Sequence, residues 1–163
     1  MRDGSRHERL YGMNVLFVCT GNTCRSPLAE ALLRRALAER GVEGVTVASA
    51  GTGAWDGAPA SEGAYLVGLE NGLDLSGHRA RLLTRELVRG ADVILAMSAQ
   101  HRSRVQSLGG GDRAHTLVEY AGSAPQDGDV TDPYGADLEA YRLTYRQLEE
   151  LIEGAVARMT AGR

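Results

Sequence analysis

Cys19 and Arg25 are separated by Thr20-Gly21-Asn22-Thr23-Cys24, and Ser26-Pro27 follows at once. A thiol becomes a nucleophile when it ionises, and a guanidinium fork matches two oxygens of a phosphate. Both groups need a frame that aims them at the same anion. Residues 14–18 (NVLFV) form a continuous apolar run, as a buried parallel strand does. After the loop, Ser26 reads as an N-cap and Pro27 as the first helical residue. Leu28, Leu32, Leu33, Ala36 and Leu37 then repeat at helical spacing, and Gly41 stops the pattern. A strand ending at Cys19 and a helix opening at Ser26 would turn free N–H groups and the positive helix end toward the loop. The same fields predict a lowered thiol pKa for Cys19. In this context the loop reads as an anion cradle with a sulfur aimed at phosphorus. The plainer reading makes Cys19 a small core residue and Gly21 a turn former.

The rest of the chain supplies the frame. Residues 45–50 and 92–97 read as further buried strands, and 114–118 as a weaker fourth. Residues 61–71, 84–89 and 99–108 read as helices, with a break at Gly109-Gly110-Gly111. A polar loop covers 122–135. The last helix carries the clearest apolar stripe, Leu138, Tyr141, Tyr145, Leu148, Leu151, Ile152, Ala155, Val156 and Met159. Strand–helix alternation of this kind predicts a parallel α/β sheet with helices on both faces. Ligands of such sheets bind beyond the carboxyl ends of the strands, where Cys19 lies.

A chain of 163 residues predicts one domain, and its 43% apolar and 24% charged shares are those of a globular protein. The net charge of -3 gives no general basic field, so nucleic acid is not an expected partner. All 18 basic residues are arginine, which excludes Schiff-base chemistry and a Walker-type lysine. Two cysteines are too few for a disulfide framework and fit a reducing, cytoplasmic setting. No apolar run reaches the roughly 18 residues of a membrane span. Residues 1–12 (MRDGSRHERLYG) lack the apolar segment of a secretory signal. They read as a flexible extension, or as sequence upstream of a natural start at Met13, with Arg2, Arg6 and Arg9 solvated.

The stretch CTGNTCRSP after VLFV resembles the signature loop of the low-molecular-weight protein phosphatase family. The resemblance continues through Ser49-Ala50-Gly51-Thr52, Gly77-His78-Arg79-Ala80 and Asp132-Pro133-Tyr134, so it covers 13–160. It implies a single domain of three α/β/α layers, with a four-stranded parallel sheet in flavodoxin-like strand order (the phosphotyrosine protein phosphatase I fold). It also implies two-step phosphoryl transfer through phosphocysteine, with no metal and no cofactor. Under it Cys19 is the nucleophile and Arg25 holds the phosphoryl group. Asp132 is the acid of the first step and the base of the second. Thr20, Gly21, Asn22, Thr23, Cys24 and Ser26 form the phosphate loop, supported by Ser49 and His78. Trp55 and Tyr134 stand at the substrate rim, where Trp55 could equally be a packing residue. Ser26 has two compatible duties, helix cap and donor to the Cys19 sulfur. Asp127 and Asp129 read as solvated loop charges, without the spacing of a calcium site. Cys24 either packs or forms a reversible disulfide with Cys19.

The implied partners are phosphorylated proteins or peptides, with inorganic phosphate as product and a monomer or weak dimer as the working state; neither nucleic acid nor membrane is among them. Two positions bear on the substrate. Phosphotyrosine members usually carry a branched aliphatic residue where this chain has Thr23, and often a second aromatic where it has Gly135. Threonine and glycine resemble the protein-arginine-phosphatase branch. A hydroxyl can pair with a polar phosphoguanidinium, whereas an isoleucine would leave its N–H groups unpaired. Phosphoarginine is therefore favoured, with phosphotyrosine as the alternative and a phosphoprotein-binding module as the non-enzymatic one. Other chemistries lack their residues. An arsenate reductase needs further cysteines, and a thioredoxin-like site needs Cys-x2-Cys. A dinucleotide loop around Gly51 and Gly53 meets Asp56 instead of a third glycine, and no His-Glu-x-x-His pair serves zinc.

Overall fold

Along the first strand the pleat sends Val15, Phe17 and Cys19 to one face and Leu16 and Val18 to the other, and each set is buried in its own apolar cluster. The computed structural model describes residues 8–123 and 128–161. Strand β1 (Glu8–Cys19) is followed by α1 (Arg25–Glu39), β2 (Val42–Gly51), α2 (Glu62–Glu70), α3 (Arg85–Arg89) and β3 (Val93–Ala96). Then come α4 (Ala99–Ser107), a 3-10 turn (Gly111–Arg113), β4 (Ala114–Thr116), α5 (Leu117–Tyr120) and α6 (Leu138–Thr160). The sheet runs β2-β1-β3-β4, every neighbouring pair parallel, which is the flavodoxin-like order. One face is covered by α1, α2, α5 and α6, whose Leu28, Leu33, Leu148 and Ile152 are almost wholly buried. Burying each of these is worth roughly 1.5–3 kcal/mol before entropy is counted. On the other face α3 and α4 bring Val88 and Val105 against Leu16, Val18 and Ile94.

Several boundaries depart from the pattern-based reading, each for a local reason. Strand β1 begins at Glu8, where pairing with Val42 and Glu43 precedes a register shift between Arg9 and Met13. Gly12, at φ 67°, makes the irregularity that a side chain would resist. Of the extension read over 1–12, residues 1–7 thus lie outside the described residues and the remainder continues β1. Helix α1 starts at Arg25 with Cys24 as its cap and no side-chain cap bond, so Ser26 is not the N-cap. Its hydroxyl is taken by the site. The fourth strand stops at Thr116 because Thr116 Oγ1 accepts from the Glu119 N–H and donates to Glu119 Oε1. That N-cap opens α5 within the stretch read as strand.

Strand exits β1 and β2 meet at Cys19 and Gly51. A Cβ on Gly51 would lie 2.3 Å from the Thr20 carbonyl and 2.9 Å from the Asn22 nitrogen. We expect Gly51→Ala to cost about 1–3 kcal/mol through overpacking. At about 2–4 °C per kcal/mol for a chain of this size, calorimetry would read a melting temperature several degrees lower. An unchanged melting temperature would mean that the loop can retreat at no cost.

Candidate active site

The loop 19–25 is folded with its carbonyls outward. Cys19 O accepts from Thr52 N, Thr20 O from Gly53 N, Thr23 O from Ser61 N and Cys24 O from Leu28 N, at 2.9–3.3 Å. His78 Nε2 lies 2.6 Å from the Asn22 carbonyl. With these acceptors engaged around the rim, the loop's amides are left for its interior, where the Asn22 N–H stands 3.3 Å from Cys19 Sγ. The turn requires Asn22 at φ 57°, a conformation asparagine tolerates better than most side chains.

Wholly buried, the Asn22 side chain organises the next shell. Its Nδ2 donates to Ser26 Oγ (2.8 Å) and Ser49 Oγ (2.9 Å), and its Oδ1 accepts from Arg81 N (3.0 Å). Ser49 Oγ passes its own proton to Glu30 Oε1 at 2.5 Å. Ser26 Oγ, already an acceptor, has its proton free for Cys19 Sγ at 2.9 Å. The bonds from Glu30 to Ser26 are thereby directed, and toward an ionised sulfur, which can only accept, Ser26 donates.

Cys19 is 2% exposed. Burial pushes its thiol up from the ordinary value, and the hydrogen bonds from Ser26, the Arg25 guanidinium and the Asn22 N–H pull it back. The net direction is upward, which corrects the lowered pKa expected from the loop and helix end alone. Sequence spacing reveals donors but not desolvation.

Arg25 is 6% exposed, and Nη1 donates to the Val130 carbonyl at 3.2 Å. Nη2 lies 3.5 Å from Asp132 Oδ2, whose side chain is half exposed. Arg25 Nε is a buried donor with no acceptor among the described residues. A guanidinium N–H left over beside inward amides and a sulfur suits a tetrahedral oxyanion. The cleft they line, about 980 Å³, also takes in Thr20, Thr23, Trp55, Tyr134 and Gly135. Trp55 and Tyr134 are 84% and 72% exposed, so Trp55 has no packing role. Thr23 Oγ1 lies over Gly21, 3.4 Å from where a Cβ would stand.

The structure thus brings Cys19, Thr20, Gly21, Thr23, Cys24, Arg25 and Asp132 to one cleft and sets Asn22, Ser26, Ser49 and His78 behind it. Asp129, read as a solvated charge, is exposed and also accepts from Ala99 N at the start of α4 (3.1 Å). Asp127 lies outside the described residues. Both cysteines are free thiols. Cys24 Sγ lies 3.2 Å from Ser61 Oγ and 3.4 Å from Tyr141 OH, whose ionisation burial and the Cys24 hydrogen bond push up to about 12. Asp56, which replaces a dinucleotide-loop glycine, accepts from Leu82 N.

Glu30, Ser61, His101 and Tyr141 were not singled out as site residues by sequence reasoning, which placed Tyr141 only in the apolar stripe of the last helix. Only Ser61 had a usable signal, as the cap of α2; the others reach the loop through tertiary contacts. Among the described residues no three His, Cys, Asp or Glu side chains gather where they could hold a metal, and no helix is long and apolar enough to cross a membrane.

The family described as Low molecular weight phosphotyrosine protein phosphatase has a sequence model that matches residues 14–162. A Protein-arginine-phosphatase of Bacillus subtilis (strain 168) is 42% identical over 142 residues, 86% of this chain and 92% of its own. A Probable low molecular weight protein-tyrosine-phosphatase EpsP of Ralstonia nicotianae is 38% identical over 147 residues, 90% of this chain and 96% of its own. The solved structure of a YwlE arginine phosphatase, a cysteine-to-serine mutant with phosphorylated active site serine, is also similar. It superposes with a TM-score of 0.84 at 38% identity, covering 93% of this chain and 98% of its own.

Replacing Ser26 with alanine removes a donor that favours the ionised sulfur, so the Cys19 pKa should rise further. A hydrogen bond to a charged group is worth about 1.5–3 kcal/mol, or roughly one to two pH units. The pH profile of iodoacetamide alkylation, with Cys24→Ser as background, should therefore move to higher pH. A profile that stays put would remove Ser26 from control of the sulfur.

Proposed function

This chain belongs to the low molecular weight phosphotyrosine protein phosphatase family and is a cysteine-dependent protein phosphatase; on that premise we propose which residues carry the reaction and that phosphoarginine is the preferred substrate. The observation that carries the site assignment is Arg25 Nε, without an acceptor among the described residues, in a loop whose carbonyls are engaged outside it and whose donors converge on Cys19.

In the first step the Cys19 thiolate attacks phosphorus and a P–S bond forms as the P–N or P–O bond to the substrate breaks. Arg25 and the loop amides hold the equatorial oxygens, and their positive field offsets the charge that burial disfavours. Asp132, half exposed at the cleft mouth, gives its proton to the departing nitrogen or oxygen. In the second step Asp132 takes a proton from water as the water oxygen attacks phosphorus. The P–S bond breaks, and orthophosphate leaves with the thiolate again accepting from Ser26. The relative solved with a phosphorylated active-site serine supports a covalent intermediate at this position.

The arginine preference rests on Thr23 and Gly135. Both line the cleft, where the hydroxyl of Thr23 can pair with a phosphoguanidinium and Gly135 adds no aromatic wall. The similar Protein-arginine-phosphatase supports the same choice. Asn22, Ser49 and His78 act as supports, and Trp55 and Tyr134 as the rim against which a phosphoprotein rests. Phosphorylated proteins or peptides are thus the partners, the catalytic domain spans 13–160, and a reducing cytoplasm keeps both thiols ready.

Acid quenching during turnover followed by intact-mass measurement should find one phosphoryl adduct on the wild type, at Cys19. Cys19→Ser should lose turnover by several orders of magnitude while still binding phosphate. Orthophosphate release without an adduct, or full turnover by the variant, would overturn the mechanism. In a second experiment phosphoarginine and phosphotyrosine peptides are compared at matched concentration. The parent should favour phosphoarginine, and Thr23→Ile should shift the kcat/KM ratio toward phosphotyrosine by tenfold or more, about 1.4 kcal/mol. An unmoved ratio removes Thr23 from the selection.

A further inference from the structure

His101, at the start of α4, is 6% exposed, and it contacts the phosphate loop at Thr20. Its Nε2 lies 2.8 Å from Thr20 Oγ1 and its Nδ1 lies 2.8 Å from Ser98 Oγ. Ser98, 8% exposed, also accepts the His101 backbone N–H at 3.2 Å as the cap of α4. The tautomer follows from counting protons. If Nδ1 carried the proton, it would donate to Ser98 Oγ. The buried Ser98 O–H would then have no acceptor among the described residues. If Ser98 donates to Nδ1 instead, Nε2–H donates to Thr20 Oγ1 and every buried proton is used. Protonating the ring would break this arrangement. Accordingly burial, with the Arg25 charge, holds His101 down at about 4, so the ring is neutral at working pH.

The end of this chain is what bears on catalysis. Thr20 Oγ1 already accepts from His101, so its own proton must go elsewhere. Thr20 is an exposed residue of the cleft, next in sequence to Cys19, and its carbonyl is fixed by Gly53 N. We infer that the relay Ser98–His101–Thr20 makes the Thr20 hydroxyl a directed donor to the substrate's phosphoryl group, with His101 as the positioning residue. The loop thus has a second donor chain besides the one that ends at Ser26. That one serves the sulfur; this one serves the phosphoryl oxygens. The assignment rests on the phosphoryl-transfer reading of the cleft but not on the choice between arginine and tyrosine.

The test uses the full chain, with an aryl phosphate and inorganic phosphate as probes, so that substrate selection does not enter. Thr20→Val keeps the side-chain shape without the donor and should lower kcat/KM about tenfold. It should also weaken competitive inhibition by phosphate by a similar factor. Thr20→Ser keeps the donor without the methyl and should stay within about twofold of the parent. A packing role would give the reverse order. His101→Phe should cost about as much as Thr20→Val, and the double variant should be no worse than Thr20→Val. Melting temperatures report whether the His101 variant folds; if it does not, the Val and Ser pair decides alone. Parent-like activity of Thr20→Val, or additive losses in the double variant, overturns the relay. A parent enzyme that turns over neither phosphoester nor phosphoramidate would instead sink the phosphatase reading.

Discussion

A backbone loop can hold an anion only if its carbonyls are taken up somewhere else. Between Cys19 and Cys24 that condition is met by Thr52, Gly53, His78, Ser61 and Leu28, drawn from the β2 exit, the segments around α2 and the first turn of α1. None of these contacts is chemistry, yet each leaves an amide free to face an anion held inside the loop. Gly51 belongs to the same condition, because a side chain there would meet the Thr20 carbonyl. The fold serves the site chiefly by turning one seven-residue segment the unusual way round.

Charge follows from that geometry. The sulfur is buried, so desolvation works against the thiolate that attack requires, and the donors around it offset part of the cost. They can do so only if their protons point the right way. Glu30 fixes Ser49, Ser49 and Ser26 both accept from Asn22, and Ser26 is left to donate. A carboxylate two hydrogen bonds behind the loop therefore sets the orientation of a hydroxyl at its centre.

Much of this was legible in the sequence because local rules and family motif agreed. The apolar run before Cys19, the helical repeat after Ser26 and the stripe of α6 mark their elements, and the motif names Cys19, Arg25 and Asp132. What escaped was tertiary. Ser26 reads locally as a cap, but a sulfur seven residues away claims its hydroxyl. Thr116 caps the first turn of α5 at the Glu119 N–H, and the cap outweighed the strand pattern. His101 meets Thr20 across 81 positions of sequence, which no periodicity connects. Burial of Cys19 reversed the direction inferred for its pKa, since spacing carries no measure of solvent.

The N-terminus of α4 is where the two halves of the chemistry meet. Ser98 caps it and hands its proton to His101, while Asp129 accepts from Ala99 N one residue later. Asp129 lies three residues before Asp132, and the same segment is held by Val130 N on Met97 O and by Thr131 N on Gln147. Arg25 reaches both the Val130 carbonyl and Asp132. The segment that leads to Asp132 is therefore anchored both to this helix end at the exit of β3 and to α6, and the same helix end carries the residue proposed to steady Thr20. A shift of α4 would move both relative to Cys19, whereas the Asn22 network, built on α1 and β2, would stay. The attack and proton delivery proposed for Cys19 and Asp132 thus rest on different parts of the scaffold, joined across the cleft by Arg25.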